Sequence, residues 1–197
     1  MSTPLDDAAL DQLFRSARTF NHYRDEPVGE DTLRAIWDLM KMGPTSANQL
    51  PARLVWCVSD EAKATLAAAC SDTNKTKVLE APVSVVVGMD VEFHEHLPEL
   101  FPHTDAKSWF EGDEDARVAS AKRNATLQGA YLLIAARAVG LDCGPMSGVD
   151  LDKITEHFFA DSPRHRADWV CGIGYGDADS LFDRSPRPDF DKFTKIV

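Results

Sequence analysis

Within ten positions near the start of the chain stand Arg15, Arg18, His22 and Arg24. A guanidinium can grip a phosphate through two parallel charge-assisted hydrogen bonds, each worth about 1.5–3 kcal/mol. Further basic residues, Arg184 and Arg187, stand near the other end. The chain as a whole carries a net charge of −11. That balance argues against nucleic acid, which wants a broad basic face. One phosphate needs only a few converging cations, so a small phosphorylated ligand is the chemistry these residues suit. A solvated helix end is the competing explanation of the first cluster.

Other groups could face the body of such a ligand. Gly43-Pro-Thr-Ser-Ala-Asn-Gln-Leu-Pro51 packs Thr45, Ser46 and Asn48 into four residues. Two hydroxyls and an amide can donate to and accept from the polar edge of a planar heterocycle; a helix-ending turn would explain the same composition. In Asp142-Cys-Gly-Pro-Met-Ser-Gly-Val-Asp150, Gly144 and Gly148 would let a ligand approach the backbone, or would only turn the chain. Gly172-Ile-Gly-Tyr-Gly176 lacks the G-x-G-x-x-G spacing and the following βαβ unit of a dinucleotide loop, and reads as a strand ending in a glycine turn. Glu92-Phe-His94-Glu-His96, near Asp90, has His-x-His spacing but no third ligand set, so no metal site is expected there. No Ser or Cys nucleophile can be matched to a base by spacing. Cys57, Cys70, Cys143 and Cys171 form no C-x-x-C and no zinc pattern, which suits reduced, buried thiols in a cytosolic protein.

The elements that must position these groups are legible from periodicity. Residues 6–17 have a helical apolar pattern. In 30–42, Leu33, Ile36, Trp37 and Met40 fall at i, i+3, i+4 and i+7, and Gly43-Pro44 stops the helix. Strands are expected at 53–58, 82–89 and 168–174, the second strongly β-branched. Shorter helices are expected at 61–70, 74–79 and 151–159. Residues 91–112 read as an irregular excursion with short helices and the aromatics Phe93, Phe101, Trp109 and Phe110. The longest helix, 113–139, is apolar nearly all round in its second half, broken by Arg137, and is expected to be central and capped by Gly140. Residues 143–148 read as a loop. Helices first, then strands separated by long helical stretches, predict an α+β or α/β layered domain. The 197 residues, 44% hydrophobic, suit one domain with a sizeable core. No apolar run reaches the ~18–20 residues of a membrane span, and the acidic N-terminus has no apolar signal core, so a cytoplasmic protein without a membrane partner is expected.

Taken in order, these motifs resemble the nitroreductase family of flavoproteins, and within it the malonic semialdehyde reductase branch linked to pyrimidine breakdown. The resemblance rests on Ala17-Arg18-Thr19, Leu39-Met-Lys-Met-Gly-Pro-Thr-Ser-Ala-Asn48 and Pro51-Ala-Arg53. It continues through Leu100-Phe-Pro-His103, Asp105-Ala106, Ser108-Trp-Phe110, Gly140-Leu-Asp142 and Gly144-Pro-Met-Ser-Gly148. It ends on Ile173-Gly-Tyr-Gly-Asp177 and Pro186-Arg187, and so spans essentially the whole chain. It implies an α+β fold with a central mixed sheet flanked by helices, and an intertwined homodimer holding FMN at the subunit interface. Arg18, with Thr19 and His22 nearby, would hold the FMN phosphate, helped by Arg187 and Arg184. Thr45, Ser46 and Asn48 would meet the flavin from the partner subunit. Asn74 and Lys77 match an N-x-x-K element at the pyrimidine edge of the flavin, where a cation favours the reduced, anionic ring. The loop Pro145-Met146-Ser147-Gly148 would aim the N–H groups of Ser147 and Gly148 at flavin N5. Three positions depart from the family pattern. Phe20 and His22 stand where hydroxylic and basic residues are common, Ser185 precedes Pro186-Arg187 where the family often has Lys-x-Arg, and Ser147 replaces a frequent acid.

The mechanism the resemblance implies is ping-pong hydride transfer from NADH or NADPH through FMN to a small acceptor, the cofactor carrying the chemistry. The branch implies malonic semialdehyde, reduced to 3-hydroxypropionate. Arg53 could then meet the carboxylate, or serve only as a salt-bridged structural residue. His103, Asp105, Ser108 and Phe110 could shape the acceptor pocket, or merely hold their own segment. A nitroaromatic or quinone reductase on the same fold, a non-catalytic flavin-binding protein and an FMN-free member of the fold are the alternatives.

Overall fold

The computed structural model describes residues 3–197; residues 1 and 2, where the reading of an absent export signal starts, lie outside the described residues. In chain order, a helical turn α1 (Asp7–Leu10) widens into a π-helical turn (Asp11–Arg15), followed by α2 (Glu30–Met40) and β1 (Ala52–Cys57). Then come α3 (Asp60–Ala68), α4 (Asp72–Glu80), β2 (Val83–Asp90), α5 (Leu97–Leu100) and α6 (Glu114–Ala138). The chain closes with β3 (Asp142–Met146), α7 (Leu151–Phe158), β4 (His165–Gly174) and the short α8 (Phe190–Phe193).

The four strands form one sheet in the order β1-β2-β4-β3. The α+β class and the helix-flanked central sheet are as expected, but the sheet is antiparallel throughout rather than mixed. The strands β2 and β3 do run the same way across the α6 crossover. However, β4 inserts between them, antiparallel to both. Among the described residues, parallel pairing survives as the isolated Thr19–Cys143 bridge.

All eight residues of β2 are buried, as both faces of this inner strand are covered. Val83, Val85, Val87 and Met89 face a core shared with Ile36 and Met40 of α2 and Leu132, Ala135 and Ala136 of α6. The alternate residue Val86 faces a second core with Leu66, Val78, Ile154 and Val170 under α3, α4 and α7. The long helix is half-central: Leu127 and Tyr131 of its apolar second half remain exposed, at 48% and 39%. Gly140 follows it at φ +86°, the left-handed conformation that glycine adopts without strain.

The expected loop at 143–148 is corrected: residues up to Met146 are a strand. Gly and Pro are poor strand formers, yet Pro145 sits on the edge strand β3, where a missing N–H is tolerated. Gly144 is required by a close approach, since a Cβ there would lie 2.3 Å from the Phe20 carbonyl oxygen and 2.6 Å from the Tyr23 hydroxyl. The same segment explains Gly172 and Gly176, where side chains would strike Tyr23 and Phe20, whereas a Cβ at Gly174 would strike the Pro82 ring first. The glycine run therefore serves residues 19–24, which lie on the sheet end, with the Tyr23 hydroxyl donating to Gly172 O at 2.9 Å. Burial raises the Tyr23 phenol well above its ordinary value, so it is a protonated donor.

Candidate functional site

Residues 14–21 and 180–187 meet at one cavity. Its volume is about 380 Å³, and Arg18, Thr19, Arg137, Arg184 and Arg187 are among its lining residues. The N-terminal segment is fixed by Phe20 N–H donating to Cys143 O at 3.1 Å and by the Thr19–Cys143 bridge. The tail is fixed by Arg18, which donates to Phe182 O at 2.5 Å, and by Arg184, which donates to Arg15 O and Ala17 O at 2.8 and 2.9 Å. Arg187 donates to the carbonyls of Ser185 and Pro186. These contacts leave donors to spare, because a guanidinium carries five N–H groups. Among the described residues, none of Arg18, Arg137, Arg184 and Arg187 pairs with a carboxylate within 4.0 Å. Four arginines therefore line the cavity against one carboxylate, Asp183, and none of them is ion-paired with it. His22 is not part of it; its Nδ1 lies 2.7 Å from Glu80 Oε2 at the end of α4.

The edge strand β3 leads from this cavity to a second group. Just beyond it, Gly148 O accepts from Ser71 N at 3.0 Å and from Asn74 Nδ2 at 3.2 Å. A Cβ at Gly148 would lie 2.9 Å from Asn74 Nδ2. Asn74 is thereby brought to Gly148, and the half-buried Lys77 follows one turn further along α4. Ser147 and Gly148 are exposed, and their N–H groups reach no acceptor among the described residues. Pro145 is exposed and Met146 buried.

Thr45, Ser46 and Asn48 form a third group. Three non-glycine residues here have left-handed backbones: Ala47 (φ 50°), Asn48 (φ 50°) and Leu50 (φ 40°). Such strain persists only where the surroundings hold it. Thr45 Oγ1 accepts from Leu50 N, Ser46 N donates to Asn124 Oδ1 of α6, and Asn48 Nδ2 donates to Leu100 O at 2.8 Å. The buried Gln49 donates to Ser46 O and Ser120 Oγ.

Arg53 is held elsewhere. Its Nη2 donates to Asp90 Oδ2 at 2.6 Å, and its Nη1 donates to Leu50 O and Ala52 O. Arg164 grips the same fully buried carboxylate with two bonds of 2.8 Å, and Glu92 N donates to it as well. Burial pushes Asp90 up, but these donors and the Arg53 charge outweigh it and hold the carboxyl below the usual range. The excursion is thus anchored at its root. Within it, Phe110 packs edge-on to Phe93 at 4.9 Å and His103 edge-on to Phe101 at 5.4 Å, while Ser108 Oγ donates to Asp105 O. No group of three or more His, Cys, Asp or Glu among the described residues is arranged to hold a metal ion. The four cysteines are free; burial pushes Cys57 and Cys70 up to about 11.

Sequence reasoning missed two contributors. Arg137 lines the cationic cavity, and its signal was the one charge interrupting the apolar half of the long helix. Asp90 stands out in the sequence only beside the His-x-His element; a lone acid ending a β-branched strand, with Arg53 upstream, is the available clue.

The fold and cavity define a class, an α+β protein with an arginine-lined cavity between an N-terminal segment and the tail. The nitroreductase family profile matches residues 14–177, and the chain belongs to the nitroreductase family. A Stenotrophomonas maltophilia (strain R551-3) protein, provisionally named an NADH dehydrogenase/NAD(P)H nitroreductase, is 54% identical over 197 residues, covering 100% of both chains. A Burkholderia lata protein with the same provisional name is 55% identical over 194 residues, covering 98% of this chain and 99% of that one. A provisionally named nitroreductase from Exiguobacterium sibiricum 255-15, solved in complex with FMN, superposes with a TM-score of 0.85 at 20% identity, covering 100% of this chain and 99% of that one; at that identity it shows the fold.

Proposed function

We propose that this chain is an FMN-dependent NAD(P)H oxidoreductase, acting as one domain in a cytoplasmic homodimer and reducing a small aldehyde, with malonic semialdehyde to 3-hydroxypropionate as the preferred reaction. The observation that carries the reading is the cavity lined by four arginines against one carboxylate, Asp183, with no direct ion pair between them, which fits a phosphate dianion in an otherwise acidic protein. When bound there, FMN supplies hydride acceptance and two-electron delivery.

The chain's own residues do the rest. Arg18, Arg184 and Arg187 hold the phosphate, with Thr19 beside them. Asn74 and Lys77, at the far end of β3, offer an amide and a cation to the heterocycle, and the open N–H groups of Ser147 and Gly148 offer donors alongside. A positive charge there stabilises added electron density. Thr45, Ser46 and Asn48 meet the ring from a second copy, and their strained loop keeps them in place. The exposed Leu127 and Tyr131 on α6, with Phe182, Phe190, Phe193 and Ile196 on the tail, support a second copy covering these surfaces. His103, Ser108 and Phe110 shape the acceptor pocket. Arg53 belongs to the frame, as its guanidinium is already committed to Asp90 and Leu50.

The test is the visible spectrum of the purified protein followed by anaerobic NADH or NADPH. Absorbance near ~450 nm that bleaches rapidly and returns on adding malonic semialdehyde is the expected result. A colourless protein that takes up no added FMN refutes the reading. A flavin that bleaches but is reoxidised by quinones or nitroaromatics and not by the aldehyde refutes the acceptor. A flavin that barely bleaches makes the chain a binding protein.

A further inference from the structure

We infer that Arg137, on the last turn of α6, is a further phosphate-gripping residue of the cavity, and that it helps the site to prefer a phosphorylated flavin over an unphosphorylated one. The inference rests on the FMN reading above and adds a residue that the family resemblance did not supply. The other cations of the cavity come from the N-terminal segment and the tail; Arg137 enters from the long helix and closes a third side.

Its hydrogen bonding is incomplete. Nη1 donates to Leu13 O at 3.1 Å, while the buried Nε–H has no partner among the described residues. The enclosed Nε–H is out of a ligand's reach, but Nη2 makes no hydrogen bond among the described residues and is not enclosed, so its donors are free for an acceptor in the cavity. The carboxylate whose titration feels Arg137, Asp142, is not within ion-pair distance and instead accepts from Gly176 N at 3.0 Å. A basic residue at a helix C-terminus also favours the helix dipole, but that role needs no place in a cavity wall. A planar fork with one arm tied to Leu13 can still present a second N–H to a phosphate oxygen, which an ammonium cannot do in the same geometry.

The experiment titrates flavin-free protein with FMN and with riboflavin, following flavin fluorescence, for the wild type, Arg137→Met and Arg137→Lys. Arg137→Met should weaken FMN binding on the order of 10- to 100-fold, leave riboflavin binding within about twofold, and blunt competition by inorganic phosphate. Arg137→Lys should recover part of the loss. The flavin-free melting midpoint checks the fold, and the Lys variant carries the test if the Met variant does not fold. Unchanged FMN affinity in a folded variant overturns the inference. So does an equal loss for riboflavin, which would make Arg137 a support for Leu13 only. A wild type that binds FMN no better than riboflavin overturns the phosphate reading itself, and this inference with it.

Discussion

Replacing Asp90 with Asn keeps the shape of the frame and removes its charge. Four groups face this carboxylate: Arg53 at 2.6 Å, Arg164 at 2.8 Å, His96 at 3.4 Å and His165 at 3.7 Å. The Asp90 side chain is fully buried, and those of Arg53 and Arg164 are 25% and 28% exposed. Deleting one partner of a buried ion pair costs about 3–5 kcal/mol, because the remaining charge is left uncompensated. Both arginines keep some water, so the lower end applies, about 3 kcal/mol. In a chain of this size each kcal/mol moves the melting midpoint by about 2–4 °C, which puts the D90N midpoint about 6–12 °C below wild type at pH 7. The pH dependence follows from the sign of the shift. Asp90 is held below its ordinary value in the folded state. Its contribution is therefore full above the unfolded value near ~3.9 and is lost as pH falls through the folded one. The wild type should lose its advantage over D90N only on the acid side of about pH 4. Circular dichroism melts of flavin-free protein between pH 3 and pH 8, run in parallel for both forms, make the comparison. A D90N midpoint within about 2 °C of wild type at pH 7, or a constant gap down to pH 3, would refute a charge-based frame.

Two smaller substitutions test the backbone of the site. Gly144→Ala pushes a methyl against the Phe20 carbonyl and the Tyr23 hydroxyl; overpacking at this level costs up to about 3 kcal/mol, and weaker FMN retention should accompany the lower melting midpoint, since Arg18 rides on the displaced segment. Ala47→Gly relieves a left-handed alanine, worth about 1–2 kcal/mol, against about 0.5–1 kcal/mol of extra unfolded-chain entropy. A rise of about 1–3 °C in midpoint is expected, and a fall would mean that the loop is not strained as described.

Most elements were legible because their periodicity is local. The apolar stripe of α2, the β-branched run of β2 and the glycine stop after α6 each announce themselves within a dozen residues. The strand β3 did not, because Gly144 and Pro145 carry the local signal of a turn, and only pairing with β4 and the approach of Phe20 and Tyr23 make a strand of them. The sheet's direction was equally hidden: β2 and β3 do run alike across a helical crossover, and nothing local says that β4 will slip between them. At the site, Arg18, Arg184 and Arg187 were legible as basic residues at two chain ends, but their meeting depends on long-range bonds from Arg18 to Phe182 O and from Arg184 to Ala17 O. Arg53 shows the converse. Its type suggested a carboxylate anchor, and its neighbours Asp90 and Leu50 show what it anchors.

The arginines thus divide by what faces them. Arg53 and Arg164 are matched to Asp90 and make a frame, with Arg53 reaching on to the carbonyl of the left-handed Leu50. Arg18, Arg137, Arg184 and Arg187 meet carbonyls at most, which orient a guanidinium without neutralising it. Gathering like charges around a cavity is unfavourable, and mutual repulsion falls only when an anion enters. Asp183 lines the same cavity, yet none of these arginines is within ion-pair distance of it. On the proposed reading, backbone acceptors hold each fork in place and the charge stays available to the phosphate.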